Sequence, residues 1–204
     1  MPSVITIVNL ALLDVGSAKI GSLTEDSPEA AAANLVYDEA LEYVLEAHDW
    51  DFATTRVQLA ALSATPAFGY DHQYQLPADF VRLIGAWDND DETGELDFRI
   101  AKGPSGGKVI ETDADALYVK YVAKVTDPNV MTPSFRKTLR YELAMPLAIK
   151  LHQSSTLADA MEKKRDKALR DARGIDGIQA PGDQIPDGTW ITDRDGDSTW
   201  AEGG

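Results

Sequence analysis

The sequence predicts an α+β protein: mainly an α-helical bundle with an inserted small antiparallel β region and an extended C-terminal tail. Three observations carry that reading. Apolar spacing follows the helical period to about residue 48, changes to strand alternation between residues 57 and 125, and turns helical again from residue 133. Two cap-like dipeptides, Ser27-Pro28 and Thr132-Pro133, stand where long helical stretches begin. Beyond Gly174 neither period survives. Residues 1–56 and 126–174 are therefore expected to form one helical bundle, 57–125 an inserted β-rich lobe, and 175–204 an extended or disordered C-terminal arm.

Each element has a local reason. Val4 to Val15 is apolar nearly all round, and its length favours a helix over a buried strand. A helix with so little polar surface must be covered on most sides. Gly16 suits the left-handed position just beyond it. Ser27, Pro28 and Glu29 provide an N-cap, an N1 proline and a carboxylate at the positive end of the dipole. The helix they start is expected to reach about His48, with Ala33, Tyr37, Ala40, Leu41, Val44, Leu45 and His48 on one stripe and Asp38, Glu39, Glu42 and Glu46 largely outside it. Short β-branched or aromatic segments follow at 57–62, 70–76, 81–87, 96–100, 108–111 and 116–125, separated by Pro, Gly and Asp turns, and read as one small antiparallel sheet. Thr132-Pro133 starts a helix to about His152, which Pro146 should kink. Ser155 can cap a last helix ending at Gly174, whose thin apolar face leaves one side for solvent or another subunit.

Charge is segmented by sign. The 204-residue chain carries a net charge of -15. Residues 1–50 hold nine acids against the single base Lys19, whereas residues 131–174 hold five acids against ten bases. Residues 175–204 return to seven acids and one base. A field of this sign repels free duplex DNA, unless DNA is confined inside a ring that favours a non-adhesive wall. No cysteine is present, which excludes disulfides, thiolate chemistry and cysteine-ligated metal. A secretion signal and a membrane span are not expected, because no apolar run approaches about 18 residues.

The candidate chemistry is sparse. His48, His72 and His152 are far apart and lack paired-ligand spacing, so His48 reads as a satisfied helix-end residue near Trp50. Asp193-Arg194-Asp195-Gly196-Asp197 reads as a solvated acidic turn ahead of a calcium loop, since its glycine is misplaced and no twelfth-position Glu follows. Asp88 to Glu92 fits a hairpin tip, and Gly103 to Gly107 a hairpin loop without the Lys and helix of a phosphate loop. The basic string Arg136, Lys137, Arg140, Lys163, Lys164, Arg165, Lys167, Arg170 and Arg173 lies on two helices. Lys163, Lys167 and Arg170 share a face, for which an acidic neighbouring subunit is a better partner than nucleic acid. The arm carries Trp190 and Trp200, anchors for a neighbour or simply residues of a disordered tail.

An ordered set of blocks carries a family resemblance. They are Asn9-Leu10-Ala11-Leu12, Val15-Gly16, Ile20-x-Ser22-Leu23, Ser27-Pro28-Glu29-Ala30 and Asn34-Leu35-x-Tyr37-Asp38. Trp50-Asp51-Phe52-Ala53-x-x-Arg56 and Tyr74-x-Leu76-Pro77-Ala78-Asp79-Phe80-x-Arg82 follow. Tyr121-x-x-x-Val125-Thr126-Asp127-Pro128, Pro133-x-Phe135 and Leu143-Ala144-x-x-Leu147-Ala148 complete the set. The chain resembles the tail tubular protein A family, the head-to-tail adaptors (connectors or gatekeepers) of short-tailed bacteriophages. That resemblance implies a non-enzymatic structural virion protein without cofactors, assembled in the host cytoplasm as a ring of about twelve copies. The portal would lie above it and the tail nozzle below, with DNA passing the lumen without sequence-specific binding and no membrane involved. The expected interface residues are Arg136, Arg140, Lys163, Lys167, Arg170, Trp190 and Trp200, and the structural junction is Trp50, Phe52 and Arg56. Two other classes compete: a head-completion or connector protein of a long-tailed phage, and a carboxylate-dependent hydrolase needing two acids in a cleft, one with a raised pKa.

Overall fold

Ser3 and Gly16 bracket the first helix, α1 (Val4–Val15): the Ser3 hydroxyl accepts from the Thr6 N–H, and Gly16 closes the helix at φ +80°. This computed structural model describes residues 1–94, 96–104 and 106–179. Ser27 caps α2 (Pro28–Glu46) through the Ala30 N–H, and Thr132 caps α3 (Pro133–His152) through the Phe135 N–H. Both prolines occupy the first turn, where a missing N–H costs no helical bond. α3 runs unbroken through Pro146.

The β segments build two sheets where the sequence suggests one. β1 (Thr54–Leu59), β3 (Phe80–Trp87) and β6 (Leu117–Ala123) form an antiparallel sheet in the order β1-β6-β3. β2 (His72–Gln75), β4 (Arg99–Lys102) and β5 (Lys108–Thr112) form a second, in the order β2-β5-β4. Strand alternation explains the split. Along β6, Leu117, Val119, Tyr121 and Ala123 turn to a core shared with Tyr74, Leu76 and Ile110 of the second sheet. Val122, on the opposite face, joins the helical core together with the half-buried Val81 and Ile84. The first sheet is thus an interlayer between helices and second sheet. It requires apolar residues on both faces, and VKYVA supplies them.

α3 is the centre of the helical layer, packing against α1, α2 and the last helix, α4 (Ser155–Gln179). Phe135, Leu139, Leu143 and Leu147 are its buried spine. Two expectations about α4 are corrected. Its N-terminal cap is Ser154, whose hydroxyl accepts from the Leu157 N–H, rather than Ser155. Its C-terminus lies at Gln179 rather than Gly174, so 175–179 belong to the helix and not to an extended arm. Gly174 does not adopt the left-handed conformation that would end the helix, and buried Asp176 ties the additional turn to the rest of the fold. The remaining arm, 180–204, with Trp190, Trp200 and the Asp193–Asp197 run, lies outside the described residues. α1 also departs from expectation: Leu10 and Leu13 face outward, so its covering is one-sided.

Candidate assembly interface

Trp50 sits where α2 passes through a short 3₁₀ turn (Asp51–Ala53) into β1. It is 0% exposed, and its indole N–H donates to the Val44 carbonyl at 2.8 Å. That bond satisfies the one polar atom of a side chain that otherwise contributes only apolar area. Phe135 meets the indole edge-on at 5.1 Å between centroids, and His48 does so at 4.9 Å. Phe52 is half-buried, 4.9 Å from Phe135. Arg56 does not join this cluster: it is exposed on β1, where its guanidinium bonds Glu92 from the β3–β4 connection. Odd and even strand positions point oppositely, and Arg56, paired with Lys120, shares the face of Val122 on a part of it that is left solvated. Glu92 also meets Lys120 at 3.4 Å. The hydrogen bond from Arg56 holds the Glu92 carboxyl below its ordinary range.

Behind Trp50, α4 closes the junction. The Asp176 carboxylate accepts the Asp51 N–H at 3.2 Å and lies 3.3 Å from His48 Nε2. Burial raises its pKa, outweighing these two partners. Arg173, one turn earlier, donates to the Ala47 carbonyl and so caps the end of α2.

The predicted basic interface divides into two groups. Arg136 and Arg140 are half-buried and find partners within their own chain. Arg136 donates to the carbonyls of Pro128 and Met131, and Arg140 grips Asp14 of α1 in a two-pronged contact whose longer arm is 2.7 Å. Arg165 is likewise buried, 2.8 Å from Glu142 and 5.5 Å above the Tyr43 ring. Burial is the first cause of the raised Glu142 pKa, opposed by Arg165. Lys163, Lys167 and Arg170 stand exposed together, on the side of α4 opposite Met161, Arg165, Ala168 and Ala172. Among the described residues Arg165 is the only base of α4 that forms an ion pair. Asp38, Glu39, Glu42 and Glu46 stand exposed on α2, with Lys124, just after β6, reaching Glu42 at 2.7 Å.

Glu142, whose pKa is raised, and Glu39 line one groove between α3 and α2, an arrangement to set against the acid pair a hydrolase needs. The Arg165 guanidinium occupies the Glu142 carboxylate, so this geometry serves an ion pair. Sequence reasoning missed that groove, because its walls come from helices about a hundred residues apart. It also missed Trp87 and Tyr118, which with Arg56 and Lys120 line a cavity of about 250 Å³. The register Trp87↔Tyr118 places these aromatics side by side, a signal that only strand pairing reveals. Among the described residues no helix is long and apolar enough to cross a membrane. Comparison with protein-family models and with curated proteins finds no match for this chain.

Proposed function

We propose that this chain is a structural virion protein, a head-to-tail adaptor whose copies form a ring between portal and tail nozzle and leave a passage for DNA. One observation carries the reading beside the ordered sequence blocks. A single protomer holds an exposed basic face on α4 and an exposed acidic face on α2, each in excess of what the fold itself neutralises. Faces of opposite sign on one chain favour association between copies in a fixed direction, and steer it. The acidic excess left over gives a channel wall that repels phosphate, so that duplex slides rather than binds.

The test is electron microscopy of the purified full chain, brought to high concentration at low salt. Closed rings with an axial channel wide enough for a duplex, near twelvefold in symmetry, are expected. Compact dimers without a channel, at every concentration tried, would refute the adaptor reading.

A further inference from the structure

The α1 helix carries an apolar ridge that none of the described residues covers. Thr6, Leu10 and Leu13 follow one another on its outward side, with Leu13 68% exposed. Lys19, exposed, lies at the same surface and is the one base among the first fifty residues. Elsewhere on the protomer, α2 and α3 leave a groove of about 360 Å³ floored by Val36, Ala40, Met145 and Pro146 and flanked by Tyr43 and Ile149. Tyr43 is 50% and Ile149 57% exposed. Proline within a helix removes an N–H donor from it, and here its ring lines the groove. Exposed Glu39 stands on the groove wall.

We propose that copies join head to tail, the α1 ridge of one seated in the α2–α3 groove of the next, with Lys19 facing Glu39. Side-chain ridges packing into grooves are the ordinary geometry of helix pairs. Ridge and groove share no residue, so the contact is heterologous: each copy in a pair keeps one free ridge and one free groove. Such a contact propagates until it closes into a ring or continues as a filament. Charge selects the occupant. The arm beyond residue 179 is acidic and meets the like charge of Glu39 at this groove, whereas the ridge brings a lysine. The inference deepens the adaptor reading and rests on it only for closure of the ring.

The absence of cysteine makes the test direct. Full-length Leu13→Cys and Ile149→Cys chains are mixed and oxidised. A disulfide-linked pair is expected in the mixture, about tenfold or more above either variant alone, and absent when Lys167→Cys replaces Ile149→Cys. Separately, Leu10→Glu/Leu13→Glu and Ile149→Glu chains should each lose self-association in sedimentation velocity, while their equimolar mixture forms a pair and stops there. Cross-linking of Leu13→Cys with itself, or association of both glutamate variants at wild-type strength, would overturn the proposal. So would a wild-type chain that stays monomeric at the highest attainable concentration. Loss of association in Trp190→Ala/Trp200→Ala with the ridge intact would assign the groove to the arm and also overturn it. Wild-type rings that survive in both glutamate variants reject these surfaces and leave the adaptor reading standing. Open filaments with the expected cross-link do the reverse.

Discussion

Trp50 shows how one side chain can lock two layers. Its ring is enclosed by Phe135 and His48 while its N–H is satisfied by α2. Trp50→Ala therefore leaves a cavity and an unbonded carbonyl, and should cost about 3–5 kcal/mol in two-state chemical unfolding. Tyr37 presents the opposite case. Its buried hydroxyl finds no partner among the described residues, and desolvation pushes its pKa to about 12. Tyr37→Phe removes an unsatisfied group at little loss of shape, and should be neutral or stabilising by up to about 1–2 kcal/mol in the same measurement. Asp176 titrates with a raised folded-state pKa, from the ordinary 3.8 upward. The folded state thus holds that proton more tightly than the unfolded one. Its contribution to stability is complete below the unfolded value and is lost as pH rises through the folded value. Asp176→Asn lacks this loss, so its stability relative to wild type should climb as pH rises above the ordinary 3.8 and through the raised folded-state value. A flat difference in denaturant midpoints across that range would contradict the assignment.

Among elements, α4 departs furthest from its sequence reading. Its buried stripe of Ala158, Met161, Arg165, Ala168, Ala172 and Asp176 is narrow and partly polar, and it continues for a turn past the glycine that looks like a stop. Gly174 and Gly177 are helical, and an added Cβ at either meets nothing within 4 Å. Gly174→Ala and Gly177→Ala should each stabilise by about 0.5–1 kcal/mol, since glycine gives up more backbone freedom than alanine in a helix. Destabilisation by Gly174→Ala, read by thermal melting, would mean that the helix does stop there. The outer stripe of α4 has a separate role. Reversing Lys163, Lys167 and Arg170 to Glu should leave circular dichroism and melting nearly unchanged, because all three are solvated. Association between copies should slow and become less salt-sensitive, as measured by stopped-flow light scattering.

At the scale of the molecule, two cores meet at one sheet. The helical core and the core between the sheets are joined through β6, whose Val122 and Val119 face opposite ways. The helical layer and the β region therefore share a structural wall. The ion pairs follow the same logic of distant partners: Arg140 with Asp14, Arg165 with Glu142 and Lys124 with Glu42 each join separate elements. Much of the charge that is segmented along the sequence is matched inside the fold. What is left exposed, the α4 lysines and the α2 carboxylates, defines the surface available to other copies.

The sequence by itself determined where α1, α2 and α3 start, roughly which segments are strands, and that Trp50 belongs to a core. These properties are local: Ser27, Thr132 and the prolines after them act within one helical turn, and alternation along Leu117 to Ala123 acts within one strand. The α+β class follows from them. The tertiary structure alone decided that the strands form two sheets, because pairing of β2 with β5 depends on a partner more than thirty residues away. It alone turned Arg136 and Arg140 inward and left Lys163, Lys167 and Arg170 in water. All five are bases in helical sequence; the packing of α3 against α1 brings Asp14 to Arg140, and the loop before α3 turns the Pro128 and Met131 carbonyls to Arg136. It also carried α4 past Gly174, since the helix end is held by Asp176 reaching the Asp51 N–H, a contact spanning 125 residues. The ridge on α1 and the groove on α2 and α3 arise in the same way. An apolar residue becomes an exposed one only when the fold has no more surface with which to cover it.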